Sequence, residues 1–170
     1  EAERPPFKLI GEIASECFMP LGYGGGIRSV EDIRELFALG VEKVIINTRS
    51  IEDPDFIRRA ADTFGNQSIV VSIDARRRIL GRYEVCTHGG TRNTGIDPIT
   101  HAVSVSKMGA GEILLTAIDR DGTLTGYDLD LIKRVSSAVD VPVIACGGAG
   151  QLDHFRLAVK DGGASAVSAG

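Results

Sequence analysis

Residues 19–48 and 141–170 carry one pattern twice, in register at an offset of 122 and with no gap. The first copy reads MPLGYGGGIRSVEDIRELFALGVEKVIINT and the second VPVIACGGAGQLDHFRLAVKDGGASAVSAG. Pro20 falls on Pro142, Gly25 and Gly26 on Gly147 and Gly148, Arg34 on Arg156, and Gly40 on Gly162. Each copy runs from an apolar stretch through glycines, a helical period and another glycine to a second apolar stretch. Repeats at a fixed period outrank other signals in deciding a fold.

The rest of the chain alternates in the same way. Strand candidates are 20–23, 43–47, 69–74, 112–118, 141–146 and 164–169, short and rich in Val and Ile. Such runs suit strands buried on both faces of a parallel sheet. Helices between them carry start signals. Ser29 with Asp32 approximates a capping box, and Val30, Ile33, Leu36 and Phe37 then form one stripe. Asp53-Pro54 and Asp97-Pro98 each place a cap before a proline at the first helical position. Asp128 caps a further helix, and Gly40, Gly65 and Gly109 sit at helix ends. Phe7, Ile10, Ile13 and Ala14 form a helix before the first strand.

This order is a helix, five βα units and a last strand, which means a parallel sheet covered by helices. Units recur roughly every 30 residues, so the offset spans about four of them. Four units are half of a (β/α)8 barrel. The expectation is one partial TIM-barrel domain over residues 1–170, two half-barrel repeats lacking the first two strands and holding about strands 3 to 8. A doubly wound open sheet is the alternative, but gives the offset no natural meaning. Glu1 in place of a start methionine, and an end at Gly170 directly after a strand, fit a piece of a longer protein. One segment breaks the rhythm. Alternation between Gly81 and Gly89-Gly90 reads as a β-hairpin insertion near residues 78–92. Long loops at this end of a barrel strand often cover a site.

A net charge of −4 gives no electrostatic case for nucleic acid or an anionic membrane surface. No apolar run approaches the roughly 18 residues of a membrane span. Cys17, Cys86 and Cys146 have no metal-like spacing, so no metal and no cofactor is expected. Their odd number fits free thiols in the cytoplasm.

Barrel active sites form at the C-terminal strand ends. Those ends carry Gly24-Gly25-Gly26, Asn47-Thr48, Gly147-Gly148 and Ala169-Gly170. Glycines there either make tight turns or let backbone N–H groups approach an anion. Two copies in register favour a phosphate at each end of one substrate. Asp74 ends its strand, where a carboxylate serves as general acid or base, or as a solvated loop acid. The next strand ends in Thr116-Ala-Ile-Asp119-Arg120-Asp121-Gly122-Thr123: a hydroxyl, two carboxylates, and a Gly-Thr pair able to hold a phosphate oxygen. Asp119 and Asp121 could equally pair with Arg120 or Arg134. Lys43 and Glu112 begin strands, and strand parity turns them either into the barrel floor or out to solvent. His101 and His154 lie on helices and read as surface groups, and His88 lies on the hairpin.

GGGIRSVEDIRELFALGVEKVIINT, VVSIDAR, GAGEILLTAIDRDGTLTGYD and IACGGAG together resemble the cyclase subunit of imidazole glycerol phosphate synthase over nearly the whole chain. The resemblance implies a (β/α)8 barrel of two half-barrels. It implies ammonia supplied by a glutaminase partner, a glutamine amidotransferase subunit. That ammonia reacts with a phosphoribulosyl-formimino ribonucleotide bearing two phosphates. The products are imidazole glycerol phosphate and an aminoimidazole carboxamide ribonucleotide, in histidine biosynthesis. Two aspartates act, on the first and fifth strands of the family barrel, and Asp74 matches the fifth. Asn47, Thr48, Gly122, Gly148 and Gly170 match phosphate-site positions. Thr116, Asp119 and Asp121 match residues near the reacting centre, with Cys146 standing where the family usually has Ser. Lys43 and Glu112 match half of a charged gate through which ammonia enters. Gly22-Tyr23 replaces a common Thr-Val type pair. With Cys146 and the hairpin sequence, it resembles a paralogue group of surface-polysaccharide sugar biosynthesis that also pairs with an amidotransferase.

A sister phosphoribosyl isomerase shares the half-barrel repeat. Asn47-Thr48, where that isomerase tends to have Gly-Thr, and Asp119 argue against it. A third reading is an inactive module that holds bisphosphates. With only one of the two aspartates, residues 1–170 are expected to lack cyclase turnover.

Overall fold

The computed structural model describes residues 4–170. In chain order the elements are α1 (Phe7–Glu16), β1 (Gly22–Gly24), α2 (Val30–Ala38), β2 (Lys43–Ile46), α3 (Arg49–Glu52), α4 (Asp55–Phe64) and β3 (Ile69–Arg77). There follow β4 (Tyr83–Thr87), β5 (Arg92–Asn93), α5 (Pro98–Lys107), β6 (Glu112–Ala117), α6 (Leu129–Ser136), β7 (Val143–Cys146), α7 (Leu152–Lys160) and β8 (Ala166–Val167).

Six strands pair in parallel in the order β1-β2-β3-β6-β7-β8. The chain is therefore an α/β fold with a curled, half-barrel type of parallel sheet. The repeat is physical as well as textual. α2 and α7 begin and end 122 residues apart, and the paired glycines 25, 26, 147 and 148 all have positive φ. One sequence pattern thus produces one strand, one tight turn and one helix in both places.

Local signals explain the element ends. Ser29 and Asp32 form a reciprocal capping box at α2, which satisfies two of the helix's free N–H groups. Asp97 accepts from the N–H of Thr100 with Pro98 at the first helical position. Asp128 accepts from the N–H of Leu131 at α6. At the third site the structure differs. α4 starts at Asp55 with Pro54 in the cap position, and the Asp53 carboxylate binds Arg59 at 2.7 Å. The same carboxylate also takes a backbone hydrogen bond from Phe56, so it is shared between the guanidinium and the helix start.

Core residues lie between the sheet and its helices. On β3, Ile69, Val71, Ile73 and Ala75 are buried under helices, as are Ile113 and Leu115 on β6 and Val143 and Ala145 on β7. They meet Ile33 and Leu36 of α2, Phe56 and Ile57 of α4, Ala102 and Val105 of α5, and Leu131 and Val135 of α6. Each fully buried Val, Leu, Ile or Phe among them contributes about 1.5–3 kcal/mol by leaving water. The alternate residues of the strands face the other way and are mostly half-buried. They form the concave face.

β3 runs three residues past Asp74, because its end pairs antiparallel with β4. That pairing, with β5 beyond it, makes a three-stranded ribbon standing above the end of β2. Two contacts root it. The Tyr83 hydroxyl lies 3.0 Å from each carboxylate oxygen of Asp128 at the cap of α6. Asp119 accepts from the N–H of Arg77 at 2.6 Å.

Candidate active site on the concave face

Register brings the chemistry-bearing residues into rows. Asp74 of β3 stands level with Thr116 of β6, and Thr116 with Cys146 of β7. On its other side Asp74 pairs with Cys86 of β4. One row below, Ser72 is level with Leu114 and Leu114 with Ile144. Below that, Ile45, Val70 and Glu112 are level. The polar row is at the C-terminal strand ends, and Leu114 and Ile144 in the row below separate it from the floor.

Asp74 is half-buried in this setting. Burial is the main effect on its carboxyl and raises its pKa, and the negative charge of Asp121 adds to the rise. Hydrogen bonds from Ser72, at 3.3 Å, and from the Asn47 side chain oppose it without cancelling it. A carboxyl held this way retains its proton to higher pH than a surface aspartate. General acid–base chemistry draws on carboxyls shifted in this direction. No sequence motif singles out Ser72. Its position two residues before Asp74 on a strand was the available signal.

Asn47 follows β2 directly. Its side chain donates to Asp74, while its Oδ1 is buried with no hydrogen-bond partner. A buried, unused acceptor beside a titrating carboxyl is costly to leave unfilled, and offers a place for a ligand N–H or O–H. Next to it, the Thr48 hydroxyl accepts from the N–H of His88 at 3.2 Å, so the ribbon closes over this loop. His88 itself has positive φ, in the turn of the ribbon.

Asp119 does not pair with Arg120 or Arg134. It faces Arg76 at 3.8 Å and takes the Arg77 N–H, so it ties the ribbon to the β6 loop. Arg134 pairs instead with Asp130, one turn earlier on α6. Arg76 reaches on to the Gly90 carbonyl at 2.9 Å. Asp121 is exposed and acts on Asp74 through its charge alone. Gly122 has open space above its Cα, and the Thr123 hydroxyl donates to the Arg120 carbonyl at 2.7 Å.

Gly147 and Gly148 are required by crowding as well as by φ. A Cβ on Gly148 would lie 2.3 Å from the Gly126 carbonyl oxygen, and one on Gly147 would lie 2.8 Å from that of Ala117. The Gly126 N–H donates to Gly148 O at 2.7 Å, so the turns after β6 and β7 are joined. Around Gly25 there is no such crowding. Ala169 and Gly170 are exposed beyond β8, whose end is held by the Tyr127 hydroxyl on Ser168 O at 2.9 Å.

At the opposite end Lys43 and Glu112 form an ion pair that crosses the start of β3. It lies four residues below the Asp74 row, which is ~13 Å along a strand. His101, expected at the surface, is buried at 7% exposure and sits 3.1 Å from Ser50 Oγ. The reason is its place on α5. Pro98, His101, Ala102 and Val105 form the buried stripe at helical spacing. His154 is half-buried, and its Nδ1 accepts from the Gly150 N–H at 3.1 Å.

No helix among the described residues is long and apolar enough to cross a membrane. A sequence model of the family described as histidine biosynthesis protein matches residues 1–170. The half-barrel repeat, the sheet it builds and this match together mean that the chain belongs to the histidine biosynthesis protein family, enzymes of the isomerase and cyclase types.

Proposed function

We propose that the protein is the ammonia-using cyclase of this family. In this reading it converts a phosphoribulosyl-formimino ribonucleotide to imidazole glycerol phosphate and an aminoimidazole carboxamide ribonucleotide. The observation that carries the reading is the placement of a half-buried Asp74, its pKa raised, at one end of the concave face and the Lys43–Glu112 pair at the other. An isomerase working on one bound sugar has no use for a charged gate in its floor. A cyclase fed with ammonia by a glutaminase partner needs one.

The roles follow from position. Asp74 moves protons as the ring closes. Thr116 and Cys146, level with it, contact the reacting part of the substrate, and Asp119 and Asp121 shape the surrounding field. Asn47, Thr48, Gly25 and Gly26 take one phosphate. Gly122, Thr123, Gly147, Gly148, Ala169 and Gly170 take the other. Backbone N–H groups in positive-φ turns suit such oxyanions. Lys43 and Glu112 admit ammonia, and Ile45, Val70, Leu114 and Ile144 give it an apolar path upward.

The test supplies ammonium and the bisphosphate substrate to the full-length protein. Release of the aminoimidazole carboxamide ribonucleotide supports the cyclase. A ring-opened isomer formed without ammonium would make the protein the sister isomerase. Turnover of neither substrate, with bisphosphate still bound, would favour the polysaccharide-associated paralogue that Cys146 and Gly22-Tyr23 resemble.

A further inference from the structure

A buried relay connects helix α5 to the loop that follows β2. The Ser50 hydroxyl donates to the Asn47 carbonyl at 2.7 Å, and the Ser50 N–H reaches the same oxygen at 2.9 Å. Ser50 Oγ also lies 3.1 Å from His101 Nε2. Ser50 is 2% exposed and His101 7%. A hydroxyl has one proton. If it goes to Asn47, the second contact forms only when Nε2 carries the hydrogen. The short contact to Asn47 and the longer one to His101 fit that order. Burial also lowers the His101 pKa and keeps the ring neutral, so one nitrogen carries a proton and the other does not.

We infer that His101 is a positioning residue: its Nε2–H donates to Ser50, and through Ser50 it fixes the backbone of Asn47 and Thr48. Both lone pairs of the Asn47 carbonyl are then engaged, and the Asn47 side chain is aimed at Asp74. The relay spans 51 residues of sequence between Ser50 and His101. It makes the loop after β2 depend on α5, the helix that leads into β6. The functional value of this rests on reading Asn47-Thr48 as a phosphate loop, but the relay itself is tested without a phosphate.

Nitrogen-15 NMR of the unaltered chain at neutral pH reads the tautomer, and amide hydrogen exchange at Ser50 and Ile51 reads the loop. The expected ring has hydrogen on Nε2 and none on Nδ1. His101→Leu and Ser50→Ala should each speed exchange at these two amides about tenfold relative to the core amides of β6. His101→Gln places an amide donor near the Nε2 position and should restore protection to within about threefold. His101→Asn, whose donor is near Nδ1, should not. Hydrogen on Nδ1 in the unaltered chain, unchanged exchange in Ser50→Ala, or no difference between Gln and Asn overturns the inference. Ser50→Ala keeps the outcome readable if His101→Leu does not fold. Separately, inorganic phosphate titrated into the unaltered chain tests the phosphate-loop reading. Absence of saturable shifts at the Thr48 and His88 amides would remove that reading and leave the relay standing.

Discussion

Lys43 and Glu112 are ion-paired across the start of β3, although they are 69 residues apart in sequence and neither is fully buried. Half-exposed pairs contribute ~1 kcal/mol or less. Lys43→Met and Glu112→Gln should therefore each shift stability by about that amount, and a double-mutant cycle in urea should return a small coupling. If the pair is a gate, glutamine-driven turnover with the partner should fall much more than ammonium-driven turnover. Equal losses would assign it a structural role.

The ribbon depends on one buried contact. The Tyr83 hydroxyl meets Asp128, which also caps α6. Burial first, then the Asp128 hydrogen bond, pushes the Tyr83 pKa well above its usual value. Tyr83→Phe leaves the carboxylate without that donor and should cost about 1–3 kcal/mol. Asp128→Ala loses the cap as well and should cost more, about 2–4 kcal/mol. The double variant should cost less than the two sums, because both remove one bond. Urea midpoints check the series.

Gly148→Ala should destabilise by about 2 kcal/mol or more, since the new Cβ meets the Gly126 carbonyl at 2.3 Å and φ is +100°. Gly25→Ala meets no such crowding and should cost less, through φ alone. Both glycines lie in the repeated turn, one in each copy, which makes this a sharp comparison. Equal costs would show that φ dominates in both turns.

Asp32 gives a pH signature. Burial would raise its pKa, but Arg4 and the N–H groups of Arg28 and Ser29 outweigh burial and hold it below the ordinary carboxylate range. The folded pKa is below the unfolded value of about 3.9. Its contribution is thus present above pH ~4 and disappears as pH falls through the folded pKa. The stability gap between the unaltered chain and Asp32→Asn should shrink on acidification in that window. A constant gap between pH 6 and pH 3 would contradict the assignment.

β1 and β8 each pair on one side only among the described residues, and Phe18 and Met19 beside β1 are exposed. Unpaired edges template association. Residues 1–170 should self-associate with rising concentration in light scattering. A concentration-independent monomer would require the edges to be protected in some other way.

The sequence carried the fold well, for local reasons. Strand, turn and helix recur within 30 residues, and the caps at Ser29, Asp97 and Asp128 act within three residues of themselves. The contacts that shape the site are not local. Tyr83 and Asp128 are 45 residues apart, and Arg77 and Asp119 are 42 apart. No pattern in the chain names such partners. His101 is the instructive case. Its helical spacing with Pro98, Ala102 and Val105 marks the buried stripe, but a titratable side chain on a helix reads as a surface group. The β3 extension to Arg77 was hidden for another reason. Arg76 and Arg77 open a run of three arginines, a charge pattern typical of solvated loop, until β4 supplies the pairing that makes these two part of the strand.

The most direct measurement compares the unaltered full-length protein with Asp74→Asn in an ammonium-supplied assay, with bisphosphate binding followed in parallel. Asp74→Asn keeps the shape of the side chain and removes its proton chemistry. The predicted result is ammonium-dependent release of the aminoimidazole carboxamide ribonucleotide by the unaltered protein. Asp74→Asn should lose it by at least about a hundredfold, with binding within about threefold. Near-normal turnover in Asp74→Asn, or product formed without ammonium, would contradict the account.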